Sequence, residues 1–169
     1  MLRGTIPCTW DQDFVNTLHF SYVHRTTVGP GPDEIDLIDP EDINRYTVGR
    51  WAARDLETTE FKFIDEHFRW LKNKHFQINL FKPGQIGPLH KDHLDYYKNL
   101  YNIKNSNDVL RIILFLQDWQ SGHYFEVENT GISYWRAGDW VAFDPLSPHS
   151  LANIGHTNRY TLQITGTKF

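Results

Sequence analysis

The stretch HYFEVENTGISYWRAGDWVAFDPLSPHSLANIGHTNRYTLQIT, residues 123–165, decides the fold. Within it His123–Val127, Ile132–Trp135, Asp139–Phe143 and Arg159–Thr165 are short runs rich in aromatic and β-branched residues, which suit pleated, half-buried surfaces. Turn signals separate them: Asn129-Thr130-Gly131, Ala137-Gly138-Asp139 and Asp144-Pro145, with Ser121-Gly122 ahead of the first run. Moving outward, Val109–Leu116 is nearly continuous apolar sequence interrupted by Arg111. Further upstream Phe76, Ile78 and Leu80 alternate with Gln77 and Asn79, a period of two, before Pro83-Gly84 breaks the run. Many short strands at close spacing predict a sandwich or barrel-like sheet.

Before residue 75 the pattern changes. Asp11–Phe20 reads as a short helix with Trp10, Phe14 and Leu18 on one face. Thr58–Lys72 reads as a longer one, because Phe61, Ile64, Phe68 and Leu71 recur at three- and four-residue steps. Val28–Pro40, rich in Gly, Pro and Asp, reads as a loop. Helices first and strands second argue against βαβ units. The expectation is a mainly β chain with N-terminal helices: a double-stranded β-helix (jelly roll, cupin-like). One domain is expected over 1–169, in which 1–75 is mostly helical support and 76–169 the jelly-roll core.

Composition narrows the function. The 169 residues carry a formal net charge of −4 and a sequence pI near 6.1. No basic stripe is present beyond the short cluster Lys72–His75, which argues against nucleic acid as a partner. No run approaches the roughly 18 apolar residues that a membrane span needs, and Met1–Trp10 lacks the apolar stretch of a signal peptide. A single cysteine, Cys8, rules out an internal disulfide and favours a reducing, cytoplasmic setting.

Chemistry belongs where polar residues interrupt β-patterned sequence. Gly84–Tyr97 contains two His-x-Asp pairs, His90/Asp92 and His93/Asp95, and residues two apart on a strand share a side. His149 follows the Phe143-Asp144-Pro145 turn on another strand. Two histidines and one carboxylate on one face of a metal leave positions open for a chelating co-substrate and O₂, the arrangement of non-haem Fe(II) oxygenases. Arg159 lies ten residues past His149, beyond a turn containing Asn153, Gly155 and Asn158. The returning strand would aim its guanidinium into the same cavity, where a planar fork suits a carboxylate. Thr161, two residues on, shares that face.

Lys82-Pro83-Gly84 leading to Leu89-His90-Lys91-Asp92, and Trp135-Arg136-Ala137-Gly138-Asp139-Trp140-Val141-Ala142-Phe143-Asp144 followed by His149, Asn153 and Arg159, resemble the Fe(II)/2-oxoglutarate-dependent dioxygenase superfamily, and prolyl hydroxylases within it. The resemblance covers residues 76–166. It selects His90 and Asp92 over His93 and Asp95, by their distance from Pro83-Gly84 and by the Pro88-Leu89 lead-in. It implies Fe(II) held by His90, Asp92 and His149, and 2-oxoglutarate held by Arg159 and Thr161. O₂ would be the oxidant, and a C–H bond would be hydroxylated with release of succinate and CO₂. Two departures stand out. Gly122-His123 replaces the Gly-Gly of many members. Phe115 stands where many prolyl hydroxylases use a Tyr against the co-substrate, so Asn79, Gln77 and Arg111 are candidate substitutes. Asp92 itself separates the chain from aspartyl hydroxylases, which lack that carboxylate.

The implied substrate is a protein or peptide side chain such as proline, or alternatively a free amino acid or other small molecule. The loop Leu94–Asp108, with Tyr96, Tyr97 and Tyr101, is expected to cover it. Rival readings are a cupin-like metal-binding protein or isomerase with no need of 2-oxoglutarate or Arg159, a binding module with a decayed site, and a zinc hydrolase, which would call for a His-Glu helical motif that the sequence lacks. His156 is expected to be exposed in its turn.

Overall fold

The computed structural model describes residues 1–22, 52–56 and 62–168. Eleven strands are described: β1 Leu2–Thr5, β2 Ser21–Tyr22, β3 Ala52–Leu56, β4 Lys72–Phe81, β5 Ile86–His90, β6 Val109–Phe115, β7 His123–Val127, β8 Thr130–Ile132, β9 Asp139–Phe143, β10 His149–Asn153 and β11 Arg159–Thr167. They pair antiparallel in two sheets. The larger has the order β1-β9-β6-β11-β4-β3-β2 and the smaller β5-β10-β7-β8. This is the jelly roll anticipated from residues 76–169.

Alternation explains the layering. On β4, β6 and β11 one set of side chains (Phe76, Ile78, Leu80; Leu110, Ile112, Leu114; Tyr160, Leu162, Ile164) points away from the small sheet and joins one buried cluster. Val15, Ile64, Phe68 and Leu71 from the N-terminal turns complete that cluster. The opposite set carries Gln77, Asn79 and Phe81 on β4, Arg111, Ile113 and Phe115 on β6, and Arg159, Thr161, Gln163 and Thr165 on β11. Its apolar members Ile113 and Phe115 meet Phe125, Val127, Ile132, Trp135, Val141 and Phe143 in a second cluster between the sheets. The large sheet is thus covered on both faces, which is why β6 reads as an almost unbroken apolar run.

The N-terminal segment departs from expectation. The Asp11–Phe20 helix is a 3₁₀ turn over Gln12–Thr17, started by the Asp11 carboxylate accepting the Asp13 N–H at 3.0 Å. The helix expected over Thr58–Lys72 is a single α-turn, Lys62–Asp65, continued as 3₁₀ over Glu66–Phe68. Residues 57–61 lie outside the described residues, as does the Val28–Pro40 loop. The apolar stripe is real, since Ile64, Phe68 and Leu71 are all buried. It marks a surface that packs on the sheet and needs little regular helix to do so. Residues 1–75 also supply β1, β2, β3 and the start of β4. β1 is an exposed edge strand, so no alternation betrays it in sequence. Downstream, the strand expected over Ile132–Trp135 ends at Ile132, and the turn before it is Glu128-Asn129, with Glu128 at φ +55°.

Backbone contacts tie the layers together. The Trp10 indole N–H donates to the Leu116 carbonyl at 2.7 Å, pinning the N-terminal turn to β6. Gly122, at φ +91°, packs so closely on Gly155 that a side chain there would collide with the Gly155 backbone. This contact closes the β7 and β10–β11 ends over one another.

If packing of the N-terminal turns stabilises the sheet, Phe68→Ala should lower unfolding free energy in urea by about 3–5 kcal/mol. Tyr96→Ala, at a position 79% exposed, should stay within about 0.5 kcal/mol of wild type. Equal effects of the two would contradict this account of the core.

Candidate metal and anion site

His90 ends β5 and His149 begins β10, and the two are direct cross-strand partners with ring centroids 4.2 Å apart. Strand pairing alone therefore brings the imidazoles together. Asp92 lies two residues past the end of β5, on irregular backbone. Its N–H donates to the Pro145 carbonyl at 2.8 Å, which fastens this segment to the β9–β10 connection. The Asp92 carboxylate then sits between the rings, Oδ1 3.8 Å from His90 Nε2 and Oδ2 3.5 Å from His149 Nε2. One ligating atom from each of the three residues lies within 4.8 Å of the other two, so the group can hold a metal ion. His149 Nδ1 is 2.9 Å from the Ser147 carbonyl. As the N–H donor there it leaves Nε2 as the free nitrogen facing Asp92.

Arg111 fixes the carboxylate. Its Nε and Nη2 donate to Asp92 Oδ2 at 3.0 and 2.6 Å, and its Nη1 donates to Thr165 Oγ1 at 2.6 Å. Burial would raise the Asp92 pKa, but the Arg111 charge, with His149 and His90, more than reverses this and holds the carboxyl well below the usual carboxylate range. Arg111, expected among the co-substrate contacts, lines the cavity, and its recorded bonds go to Asp92 and Thr165.

Across a cavity of about 240 Å³ lies Arg159. It is 1% exposed, and among the described residues its Nε and Nη2 have no hydrogen-bond partner. Its guanidinium carbon lies 5.5–6.0 Å from the ring centroids of Trp135, Phe81 and Phe125. These rings give weak cation–π support and no anion. Burial lowers the Arg159 pKa to about 9. Thr161, Asn79, Gln77 and Gln163 line the same cavity, with His93 and Lys91. Phe115 stacks on Trp135 at 4.1 Å and offers no hydroxyl, as its identity requires.

His90, Asp92, His149, Arg159 and Thr161 thus converge on one space, together with Asn79 and Arg111. Asp95 does not join them. It is exposed in the first turn of the helix Asp95–Leu100 and pairs with Lys98 at 2.9 Å. His156 is exposed, as expected. The sequence reading missed Gln163 and Thr165, although counting by twos from Arg159 reaches both. It also missed His123, which is buried, has an unpartnered Nδ1, and sets Nε2 3.2 Å from the Thr157 carbonyl. The donor set of two imidazoles and one carboxylate suits a divalent transition metal, and the Arg159 guanidinium faces the same cavity.

Comparison with known proteins adds the fold. No protein-family model and no curated protein matches the chain. Among solved structures, a Pseudomonas putida prolyl-4-hydroxylase aligns over 71% of this chain and 72% of its own, with a TM-score of 0.51 at 15% identity. The chain is a jelly roll. A predicted oxalate decarboxylase from Thermotoga maritima (TM-score 0.45, 18% identity, 70% of this chain and 82% of that one) and KdgF from Halomonas sp. (0.44, 10%, 70% and 80%) are more distant matches. At such identities the likeness is one of architecture.

A buried cation without a partner costs stability that a ligand restores. Because burial lowers the Arg159 pKa, the unfolded chain binds more protons than the folded one between about pH 9 and the unperturbed arginine value. The cost is therefore fully present below about pH 9 and shrinks as pH rises above it. Arg159→Leu should unfold later than wild type at pH 7.5, by on the order of 1–4 kcal/mol, and the gap should narrow by pH 10.5. A variant less stable than wild type at both pH values would show that Arg159 has a partner.

Proposed function

We propose that this protein is an Fe(II)- and 2-oxoglutarate-dependent oxygenase that hydroxylates a C–H bond of a protein or peptide side chain such as proline. The observation that carries this reading is the unpaired, buried guanidinium of Arg159 facing, across one cavity, a His-Asp-His group of metal-ligand geometry. A metal-binding jelly roll with no diacid to hold has no use for such a charge, which is expensive to bury alone.

In this reading His90, Asp92 and His149 hold the iron, and Arg159 with Thr161 holds the far carboxylate of 2-oxoglutarate. When bound, that pair reduces O₂, releasing CO₂ and succinate and delivering one oxygen atom to the substrate C–H bond. The chain's own residues orient and shield. Arg111 keeps Asp92 ionised and in one rotamer, while the Ser147 carbonyl holds the tautomer of His149. Phe81, Phe125 and Trp135 keep water from the guanidinium, which strengthens its bond to an anion. Past Asp92, Leu94 adopts φ +54° and the helix Asp95–Leu100 begins. Tyr97 turns inward, its hydroxyl donating to the Asn73 carbonyl at 2.8 Å, while Tyr96 and Leu100 remain exposed. An apolar surface this close in sequence to a ligand suits a peptide. Among the described residues no helix is long and apolar enough to cross a membrane. A single cysteine and an iron site that must stay reduced favour the cytoplasm.

The test is succinate formation from 2-oxoglutarate with Fe(II), ascorbate and air. Wild type should turn over, and His149→Ala and Arg159→Leu should each lose at least about 100-fold. Arg159→Lys should keep part of the activity, because the charge remains without the fork. Incubation with a peptide library should yield a product heavier by one oxygen atom. Equal succinate formation by wild type and His149→Ala would reject the assignment.

A further inference from the structure

Among the described residues three lysines are half-buried: Lys74, Lys91 and Lys98. Two of them are matched. Lys74 pairs with Asp65 and donates to the Phe68 carbonyl, and Lys98 pairs with Asp95 at 2.9 Å. Lys91 makes no ion pair or hydrogen bond among the described residues. It lines the metal-site cavity together with both of its neighbours in sequence, His90 and Asp92. Alternation alone would not put it there. On a continued strand Lys91 would face away from His90 and Asp92. Strand β5, however, ends at His90, and the Asp92 N–H is held by the Pro145 carbonyl at 2.8 Å. The irregular backbone past β5 turns four consecutive side chains, His90 to His93, to one cavity.

We propose that Lys91 is a specificity-determining residue that takes a carboxylate of the substrate, so that the peptide hydroxylated at this site carries Asp or Glu close to the oxidised residue. This rests on the reading of the site as an oxygenase acting on a peptide. The other fixed cations of the cavity are spoken for. Arg111 bonds to Asp92 and Thr165. On that reading Arg159 takes the far carboxylate of 2-oxoglutarate, whose two negative charges cancel the two positive charges of the metal. Lys91 is the cation left over. Holding it half-buried costs rotamer freedom and part of its hydration, a cost that an anion at the cavity offsets. A compact ammonium with three rotatable donors suits a carboxylate whose position varies from peptide to peptide, where a guanidinium fork would demand one geometry. Its Cα is about 3.8 Å along the chain from that of each neighbouring ligand. An extended peptide advances by about 3.3 Å per residue, so the acidic residue is a near neighbour of the one oxidised. His93, two residues on, adds an imidazole N–H donor to the same wall. The chain as a whole carries a net charge of −4, so a preference for acidic peptides has to be local.

The test uses the full chain with Fe(II), ascorbate, 2-oxoglutarate and air. The probe is a random hexapeptide library with acetylated and amidated ends, which leaves side chains as its only carboxylates. Peptides heavier by one oxygen atom are sequenced by mass spectrometry. Wild-type products should be enriched in Asp or Glu within two residues of the oxidised position. For the best of them, exchanging the acid for its amide should lower kcat/KM at least about 10-fold. Lys91→Arg should keep a preference for the acid, Lys91→Gln should abolish it, and Lys91→Glu should select Lys or Arg at the same place. The acid–amide comparison in wild type needs no variant, and equal kcat/KM for the two peptides overturns the proposal. Products without an acidic bias, or an acidic bias that persists in Lys91→Glu, overturn it as well and leave the oxygenase reading standing. Succinate formed without any oxidised peptide overturns the peptide substrate and this proposal together. No succinate from wild type overturns the reading of the site itself.

Discussion

Strands β4, β6 and β11 carry opposite demands on their two faces, and the rest of the molecule follows from meeting both. Outward, they bury an apolar layer under the N-terminal turns. Inward, the same strands bury Gln77, Asn79, Arg111, Arg159, Thr161 and Thr165 and half-bury Gln163. Burying that many polar groups is tolerable only when each finds a partner. Most do, and among the described residues of these strands Asn79 Oδ1 and Arg159 Nε and Nη2 do not.

The two buried arginines show how differently one residue type is used. Arg111 is matched to Asp92 and Thr165, and its charge is balanced within the fold. Arg159 lies among three aromatic rings with no carboxylate, and its imbalance is left standing. On the proposed reading, an anion from outside completes the second arrangement. Exchanging their surroundings would leave Asp92 without its counter-charge and the cavity without its anion receptor.

Much of this was legible in the residues. A period-two run at 76–80 and a nearly continuous apolar run at 109–116, with turn signals between short aromatic strands, carry the jelly roll. His90, Asp92, His149 and Arg159 stand out because polar residues interrupt those runs. What stayed hidden has physical causes. β1, β2 and β3 are short and peripheral, and β1 is exposed, so its sequence shows no alternation. The apolar stripe at 64–71 reports burial and not helical regularity. The Arg111–Asp92 bond joins a central strand to irregular backbone 19 residues earlier, and nothing local in either segment encodes it.

The cross-strand register of His90 and His149 has a consequence for how such a protein diversifies. Their separation is set by the spacing of two hydrogen-bonded strands, about 4.7–4.9 Å between neighbours, and not by the chain that connects them. The segment from Leu94 to Asp108 can therefore lengthen, shorten or change composition while the paired imidazoles stay in place. On the proposed reading, recognition of the outer partner is separable from the inner chemistry, so new selectivity can arise by loop exchange on a constant base.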